Sequence, residues 1–475
     1  MPASFPRLLC CLLLLTAWAG PLDAAGVGKG VGKGKARVKP ATAPAVAAVA
    51  TSGRCGDDEG LRLQREPASP GELQLAQTDP RAYLIQVAES AQARSKQVGV
   101  AALLAQVAQD DVRDAELAHW PEAHLTLTGL YAGSTLRGIR QSAAEEARAA
   151  LQVGGPIWDW GQRKQLVEWR RQLHEAAQAA RQGQAEQVAL QAVALSLDRS
   201  RYTLQLQVYG QYVRKMACLV ESLDAITQFD PGRSSELVQA QKQQQQAELA
   251  MVGTQDVLRS TETRLRRLLG DPLPPAASLS AVLARVPELA QLQKDLTAAP
   301  EIGAASAQAQ AARHLAESVN AGQKPQVSWL AGANAARGNG HNSDWHGGVQ
   351  VTIPLWRATD APQRDAARRR AEAANLQREE TLDQRQWRLQ EVHDAAQNAL
   401  ERARRTAELL RASQQLRGAT LQQWQQLGRR SLFDVMGAES DYYNLRVAQI
   451  NALYDAQQAV ALMGSMGRGV LALLR

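Results

Sequence analysis

The sequence lacks any long apolar run after its first 25 residues. No later stretch reaches the roughly 18 consecutive apolar residues that a transmembrane helix needs. The one early run, residues 8–19, follows Arg7 and precedes the small residues Ala24 and Ala25, an order typical of an export signal. We therefore expect residues 1–25 to be a signal peptide, and a mature chain that crosses a membrane must do so as a β-barrel.

Cysteine is also scarce, since the chain has four. Cys10 and Cys11 lie at the front of the early apolar run, too early for a lipidated cysteine that follows a full signal, so we expect no lipid anchor. Cys55 and Cys218 remain in the mature chain. The sequence leaves open whether these two cysteines pair.

Motifs for catalysis and for cofactors are missing as well. We find no phosphate-binding glycine loop, nucleophile elbow or paired-cysteine motif. His341, Asp344 and His346 could nominally bind a metal ion, but the glycines around them predict an exposed hairpin loop without a shell of ligands. We expect a protein that is not an enzyme and has no cofactor.

The formal net charge of +7 comes from one segment. Five of its basic residues stand close together in a stretch rich in Gly, Lys, Ala and Pro: Lys29, Lys33, Lys35, Arg37 and Lys39. Such a stretch cannot bury enough apolar surface to fold. We expect residues 26–79 to be a disordered or linker segment and expect no nucleic-acid partner. Contact of this segment with anionic lipid or peptidoglycan is the alternative.

The chain from residue 80 onward reads as two copies of one unit. Corresponding short motifs recur at spacings of 204, 198 and 196 residues: Trp120-Pro121 with Lys324-Pro325, Pro156-Ile157-Trp158 with Pro354-Leu355-Trp356, and Gly232-Arg233 with Gly428-Arg429. A fixed internal period indicates a repeat architecture. We predict a first repeat over residues 80–280 and a second over residues 281–475.

Each repeat contains two segments in which apolar and polar residues alternate. Val349, Val351, Ile353 and Leu355 share one parity, and Leu151, Val153 and Ile157 do the same in the first repeat. This period predicts strands with one apolar face, near the length of a tilted transmembrane strand. Ordinary hairpins packed on a soluble core are the alternative. Six tryptophans at these segments predict an aromatic girdle at the lipid interfaces: Trp120, Trp158, Trp160, Trp329, Trp345 and Trp356.

Proline is absent between Pro156 and Pro231 and after Pro362. Two segments of roughly 60 residues can therefore each form a helix about 90 Å long. The second has the three-four spacing of a coiled-coil seam. Its members are Leu389, Val392, Ala396, Leu400, Ala403, Ala407 and Leu410.

Four strands are too few to close a membrane barrel, because even small barrels need about eight and open edges in lipid leave backbone groups unpaired. We therefore expect the chain to assemble with copies of itself. Three copies would supply twelve strands.

The sequence resembles the TolC family of outer-membrane efflux and secretion channels over residues 80–475. The resemblance rests on the duplicated helix-strand-strand-helix plan, on residues 155–163 (GPIWDWGQR), on Leu268-Leu269-Gly270, and on residues 428–438 (GRRSLFDVMGA) with the helix that follows. It implies a mainly α fold with a small β part, and a homotrimer whose twelve-stranded transmembrane β-barrel continues as a periplasmic α-helical coiled-coil barrel.

The resemblance also implies a location and partners. The channel would lie in the outer-membrane lipid with its helices in the periplasm. It would be the passive exit duct of a tripartite efflux pump or a type I secretion system, and would work with a periplasmic adaptor and an inner-membrane transporter. A soluble periplasmic coiled-coil adaptor or scaffold is the alternative function, but it does not explain the duplicated strands.

Specific residues follow from the resemblance. Gly428, Arg429, Arg430 and Asp434 would lie at the periplasmic tip, where Gly437 replaces the second acidic residue common in the family. In a trimer Asp434 would form an acidic ring; the alternative is a carboxylate placed at a helix N-terminus by the helix dipole. The strand-to-helix junctions would include Pro156, Gly161 and Pro354.

Overall fold

The structure is a computed structural model that describes residues 79–132, 135–136, 139–140, 144–275, 277, 279–338, 341–427 and 431–475. The predicted signal peptide, the basic segment and Cys55 lie outside the described residues, as do Gly428, Arg429 and Arg430. Cys218 is disulfide-bonded, and the other three cysteines lie outside the described residues.

The first repeat contains helices on both sides of a strand pair. In chain order its elements are α1 (Pro80–Arg94), α2 (Lys96–Leu117), β1 (Glu122–Ala132), β2 (Thr135–Leu136), β3 (Ile139–Arg140), β4 (Ala144–Trp158), α3 (Gln162–Thr227), a 3-10 turn (Pro231–Arg233) and α4 (Ser234–Leu269).

The second repeat follows the same plan. Its elements are α5 (Leu289–Leu296), α6 (Pro300–Ala321), β5 (Gln326–Arg337), β6 (His341–Thr352), α7 (Asp360–Leu427), α8 (Leu432–Met466) and the short α9 (Val470–Leu474). Apart from the short pair β2 and β3 between β1 and β4, both repeats run helix, strand, strand, helix. This observed order matches the duplicated plan that the sequence predicted.

The two long helices confirm the prediction made from the absence of proline. α3 has 66 residues and α7 has 68, so each is about 100 Å long at 1.5 Å per residue. Pro362 lies in the first turn of α7, where its missing N–H breaks no helical hydrogen bond.

The predicted coiled-coil seam lies on a buried side of α7, which packs on α8. Leu389, Val392, Ala396 and Ala403 are buried, and Leu400, Ala407 and Leu410 are half-buried. Alanine at these positions lets the two backbones approach closely. The core continues onto α3, where the fully buried Tyr454 of α8 meets Ser200.

The four long strands form one antiparallel sheet in the order β1-β4-β5-β6, and β2 and β3 form a separate two-stranded pair. The register places Leu125 opposite Leu151, Leu151 opposite Ala333, and Ala333 opposite Trp345. β4 and β5 join the two repeats. Among the described residues, no strand pairs with the outer edge of β1 or of β6.

The structure corrects the predicted extent of β6. His341, Asp344 and His346 were expected in an exposed loop, but they lie in the strand, opposite Arg337, Asn334 and Gly332 of β5. Gly332 leaves space for the imidazole, since a Cβ there would lie 2.7 Å from His346 Cε1.

β6 also ends earlier than the alternation suggested. Ile353 and Leu355 lie beyond the strand, and Val351 is its second-last residue and not a central one. Pro354 explains this end, because proline has no N–H to donate to a neighbouring strand.

Candidate functional site

One face of the sheet is mostly apolar. In an antiparallel sheet, directly opposite residues project to the same side, so the register identifies the members of each face. The apolar residues of this face are Ala123, Leu125, Leu127 and Tyr131 in β1, Ala147, Ala149, Leu151 and Val153 in β4, Trp329, Ala331, Ala333 and Ala335 in β5, and Trp345, Val349 and Val351 in β6. At the end of the sheet farthest from the helices, the same face carries Glu145, Arg337, His341 and Ser343.

The opposite face is mostly polar. It includes Glu122, His124, Thr126 and Thr128 in β1, Glu146, Arg148 and Gln152 in β4, Ser328 and Asn334 in β5, and Asp344, His346 and Gln350 in β6. The Arg148 guanidinium donates to the Glu146 carboxylate at 2.7 Å, and Asn334 Nδ2 donates to Asp344 Oδ2 at 3.0 Å. The predicted parity of the strands is therefore present across all four.

The apolar face is uncovered in the protomer. Leu127 is 73% exposed, Val351 56% and Trp345 84%. Eight residue steps separate Ala123 from Tyr131, about 26 Å along the strand, close to the apolar band of roughly 25 Å on membrane barrels. An apolar patch of this extent marks a membrane or protein contact.

Five of the six girdle tryptophans lie at one margin of the sheet, where the strands meet the helices. Trp120 precedes β1, Trp158 and Trp160 end and follow β4, Trp329 lies early in β5, and Trp356 follows β6. The sixth, Trp345, lies farther out in β6. The Trp158 and Trp160 rings meet edge to face with centroids 6.0 Å apart. The membrane-interface role of these rings stays a prediction.

A glycine positions the Trp329 indole. Trp329 is half-buried on the apolar face and lies opposite Gly155. A Cβ at Gly155 would lie 2.9 Å from Trp329 Nε1. The ring therefore fits across β4 because that position has no side chain.

The first strand-to-helix junction is tightly bonded. Asp159 Oδ1 accepts a hydrogen bond from the Gly161 N–H at 3.0 Å, and Asp159 Oδ2 accepts from the Arg163 N–H at 3.2 Å. These bonds satisfy donors at the start of α3. Gly161 has φ 83°, which glycine adopts without steric cost. The predicted Gly161 thus lies at the turn, and Pro156 lies at a register shift of β4.

The same junction is tied to the second repeat. Trp160 Nε1 donates to the Pro325 carbonyl at 2.6 Å, and the Lys324 ammonium lies 5.5 Å from the centre of the Trp160 ring. The sequence reasoning missed Asp159 and Pro325. An Asp just before a long helical segment is a signal for Asp159, whereas no local pattern indicates the Trp160–Pro325 bond.

The second junction has less support within the chain. Pro354 follows β6, and after it Leu355 and Trp356 are 93% and 85% exposed. Gln323 Nε2 donates to the Asp360 carbonyl at 2.8 Å. Within the described part of the chain, the Trp356 indole makes no hydrogen bond like that of Trp160.

Asp434 lies in the first turn of α8 and forms a capping box with Ser431. Ser431 Oγ accepts from the Asp434 N–H at 3.3 Å, and Asp434 Oδ2 accepts from the Ser431 N–H at 3.3 Å. These two hydrogen bonds are those of a carboxylate at a helix N-terminus. The acidic ring of three Asp434 side chains stays a prediction. Gly437 is in open space.

A buried polar cluster lies close to this end of α8. The Arg417 guanidinium is 3.6 Å from the fully buried Glu439 carboxylate and 4.2 Å from the centre of the Tyr442 ring. Arg446 donates to Gln211 Oε1 at 2.6 Å, which joins α8 to α3. Tyr442 belongs to the helix that follows the sequence motif, but the sequence reasoning missed Arg417 and Glu439.

Among the groups between helices that have raised pKa values are a buried hydroxyl and a half-buried carboxyl. The Tyr454 hydroxyl lies 2.7 Å from Ser200 Oγ, and burial raises the pKa of Tyr454 to about 12. Glu186 Oε2 accepts from the Val470 N–H at 2.9 Å, and burial raises the pKa of Glu186 above its ordinary value.

The described residues include no group of three His, Cys, Asp or Glu side chains that could hold a metal ion. None of the helices in the described ranges has the length and apolarity to cross a membrane.

Neither a protein-family model nor a curated protein sequence matches this chain. Solved structures do match it. CusC, studied for transmembrane channel formation, is 18% identical, with 81% of this chain and 92% of that chain covered and a TM-score of 0.72. The outer membrane protein VceC from Vibrio cholerae is 18% identical over 82% and 97% of the two chains, with a TM-score of 0.70. The outer-membrane channel OprN is 16% identical over 86% and 94%, with a TM-score of 0.73. This chain therefore has the fold of the TolC-family outer-membrane channels.

Proposed function

We propose that this chain is one protomer of a homotrimeric outer-membrane channel. The observation that carries the proposal is the four-stranded sheet with one exposed apolar face, one polar face and two open edges, attached to helices of 66 and 68 residues. The apolar face contacts lipid and the polar face lines a water-filled lumen. The long helices continue this lumen through the periplasm.

The open edges of β1 and β6 support assembly from several copies. Backbone groups at an edge have no water to bond in lipid, so a lone four-stranded sheet is unstable there. Three copies supply twelve strands and close a barrel without edges. The likeness to OprN, an outer-membrane channel, and to VceC, an outer membrane protein, supports the same location for this chain.

The proposed channel is a passive exit duct. The sequence has no motif for nucleotide hydrolysis, so an inner-membrane transporter supplies the energy and a periplasmic adaptor joins it to the helical end. The transported substrate is a small molecule in an efflux pump or a protein in a type I secretion system. At the helical end, Asp434 from three copies forms a cation-attracting ring beside Arg429 and Arg430.

A soluble periplasmic scaffold made of coiled-coil hairpins is the competing function. It requires the apolar face of the sheet to be covered by another protein, because Leu127 and Trp345 are almost fully exposed. The two functions differ in cell fractionation: a scaffold is released without detergent, whereas the channel stays in the outer-membrane fraction until detergent is added.

The decisive test is the assembly state of the detergent-purified protein. We expect native mass measurement to give a trimer, and planar bilayers to show conductance after the trimer is added. A stable monomer inserted in lipid, or release from cells without detergent, would exclude the proposed channel.

A further inference from the structure

The two repeats meet inside the chain at a junction with a defined register. β4 pairs antiparallel with β5, and Gln152 lies opposite Gly332. On the helical side, α6 packs against both α3 and α7. Every strand and helix at this internal junction has a counterpart in the other repeat.

The outer sides of the chain lack this coverage. α2 is the counterpart of α6, yet among the described elements it packs chiefly against α3. Its other side exposes large apolar side chains, namely Val100, Leu103, Leu104 and Val107. Within the described ranges, β1 and β6 each have one edge that pairs with no strand. The exposed side of α2 and the outer edges of β1 and β6 therefore correspond to surfaces that are covered at the internal junction.

The registers within each repeat show which residues correspond. Ala123 lies opposite Val153 in the first repeat, and Val327 lies opposite Val351 in the second. These pairs differ by 204 and 198 residues, the spacings of the sequence motifs. Gln350 is therefore the counterpart of Gln152, and Thr128 is the counterpart of Gly332.

We propose that the junction between subunits repeats the internal junction, with β6 antiparallel to β1 of a second copy and Gln350 opposite Thr128. This register rests on the proposed trimeric channel and adds residue pairing to it. α7 then lies beside α2 of the second copy, as α3 lies beside α6 within the chain.

The proposed register keeps the faces of the sheet continuous. It sets Val351 opposite Leu127, both on the apolar face, and Gln350 opposite Thr128, both on the polar face. A slip by one residue would place apolar side chains opposite polar ones. Slips by two residues keep the parity, so they are the alternatives that an experiment must separate.

In this arrangement, α2 of one copy and α7 of another place complementary side chains at similar distances from the helix ends nearest the sheet. Asp110 lies seven residues before the end of α2, about 10 Å from it, and Arg368 lies eight residues into α7, about 12 Å from its start. Leu103 and Leu376 lie about 21 and 24 Å from the same helix ends.

These four side chains are exposed in the protomer. Within the part of the chain that the structure describes, Arg368 makes no ion pair, and Asp110 pairs only with Arg113 of its own helix. A second copy therefore places Asp110 against Arg368 and Leu103 against Leu376.

Paired cysteines test the strand register in the full-length protein. The variant Gln350→Cys with Thr128→Cys has the proposed opposite pair, and Gln350→Cys with Thr126→Cys or with Leu130→Cys are the two-residue slips. Directly opposite Cβ atoms lie about 4.5–5.5 Å apart and diagonal ones about 7–8 Å, so disulfide yield should be about fivefold higher for the opposite pair. The measurement is the fraction of cross-linked subunits on non-reducing denaturing gels, with wild type and single-cysteine variants as controls for the native cysteines.

Each outcome has one meaning. The highest yield with Thr128→Cys supports the register, whereas the highest yield with Thr126→Cys or Leu130→Cys overturns it. No cross-link in any variant, while wild type is a trimer in detergent, overturns the subunit junction itself. If wild type is not a trimer, the proposed channel fails first, and this inference fails with it.

A charge exchange tests the helical part independently. Asp110→Arg should lower the fraction of trimer that survives mild heating, and adding Arg368→Asp should restore most of it. Lys96→Asp, a charge change on the same helix away from this layer, is the control. A double variant no more stable than Asp110→Arg alone would show that these two side chains do not meet.

Discussion

The apolar face of the sheet predicts a large difference between two neighbouring positions of β1. Leu127 lies on this face, four residues from Ala123 and four from Tyr131, so it is about 13 Å from each end of the apolar stretch along the strand. Thr126 projects to the polar face. If the apolar face contacts lipid, Leu127 lies near the bilayer midplane and Thr126 faces the lumen.

The expected loss in the free energy of unfolding depends on how deep the substituted residue lies in the bilayer. An arginine on the lipid face of a barrel costs about 2–4 kcal/mol at the midplane and about 0–1 kcal/mol near the interfaces. We expect Leu127→Arg to lower the free energy of unfolding by the larger amount. Ala123→Arg, at the helical end of the apolar stretch in β1, should cost only the smaller amount. Thr126→Arg should leave the free energy of unfolding nearly unchanged.

The measurement is reversible urea unfolding of the protein inserted in phospholipid vesicles, with the three variants compared under the same conditions. Each variant should also be tested for trimer formation, so that a failure to assemble is not counted as a loss of stability in lipid. Equal losses for Leu127→Arg and Thr126→Arg would refute the assignment of the faces. A larger loss for Ala123→Arg than for Leu127→Arg would refute the assigned depth.

Three further predictions concern the helical part. Tyr454→Phe removes a buried hydrogen bond to Ser200 and should lower the free energy of unfolding by about 0.5–1.5 kcal/mol; Ser200→Ala should lower it more, because Ser200 Oγ also bonds the Ala277 carbonyl and the Leu279 N–H. The folded chain holds the Glu186 proton more tightly than the unfolded chain does, so its stability falls as pH rises from the ordinary value of 4.5 through the raised pKa; Glu186→Gln should raise the melting temperature at pH 7 but not at pH 4. Asp434→Asn should reduce cation selectivity and divalent-cation blockade in planar bilayers if the acidic ring forms, whereas a role in capping alone would change only the melting temperature.

The sequence predicted the long helices and the faces of the strands because both follow from short-range patterns. The absence of proline over residues 163–227 allowed α3, and the period of two around Leu151 and Val153 gave the faces of β4. The outer half of β6 has no such pattern. Residues 341–348 contain a single large apolar side chain, Trp345, and they form a strand because β5 supplies the pairing partner.

The contacts that fix the candidate site join residues far apart in the sequence. Trp160 and Pro325 are 165 positions apart, and Ser200 and Tyr454 are 254 apart. In the sequence, nothing distinguishes any of these four residues from other residues of its type. The motif around residue 160 therefore predicted a strand-to-helix junction, but the carbonyl that its indole would meet depended on how the two repeats pack.

The duplication also explains why the two sides of the protomer are not interchangeable. Ala307 and Ala311 of α6 are buried between α3 and α7, whereas the residues 204 positions earlier in α2 are Leu103 and Val107, both exposed. A helix that covers α2 must therefore leave more room than α3 leaves for α6. Ala373 of α7 is exposed about 20 Å from the helix start, level with Leu103, and provides that room. The large side chains on α2 and the small Ala373 on α7 thus favour α2 of another copy over a second α6 as the neighbour of α7 in the proposed trimer.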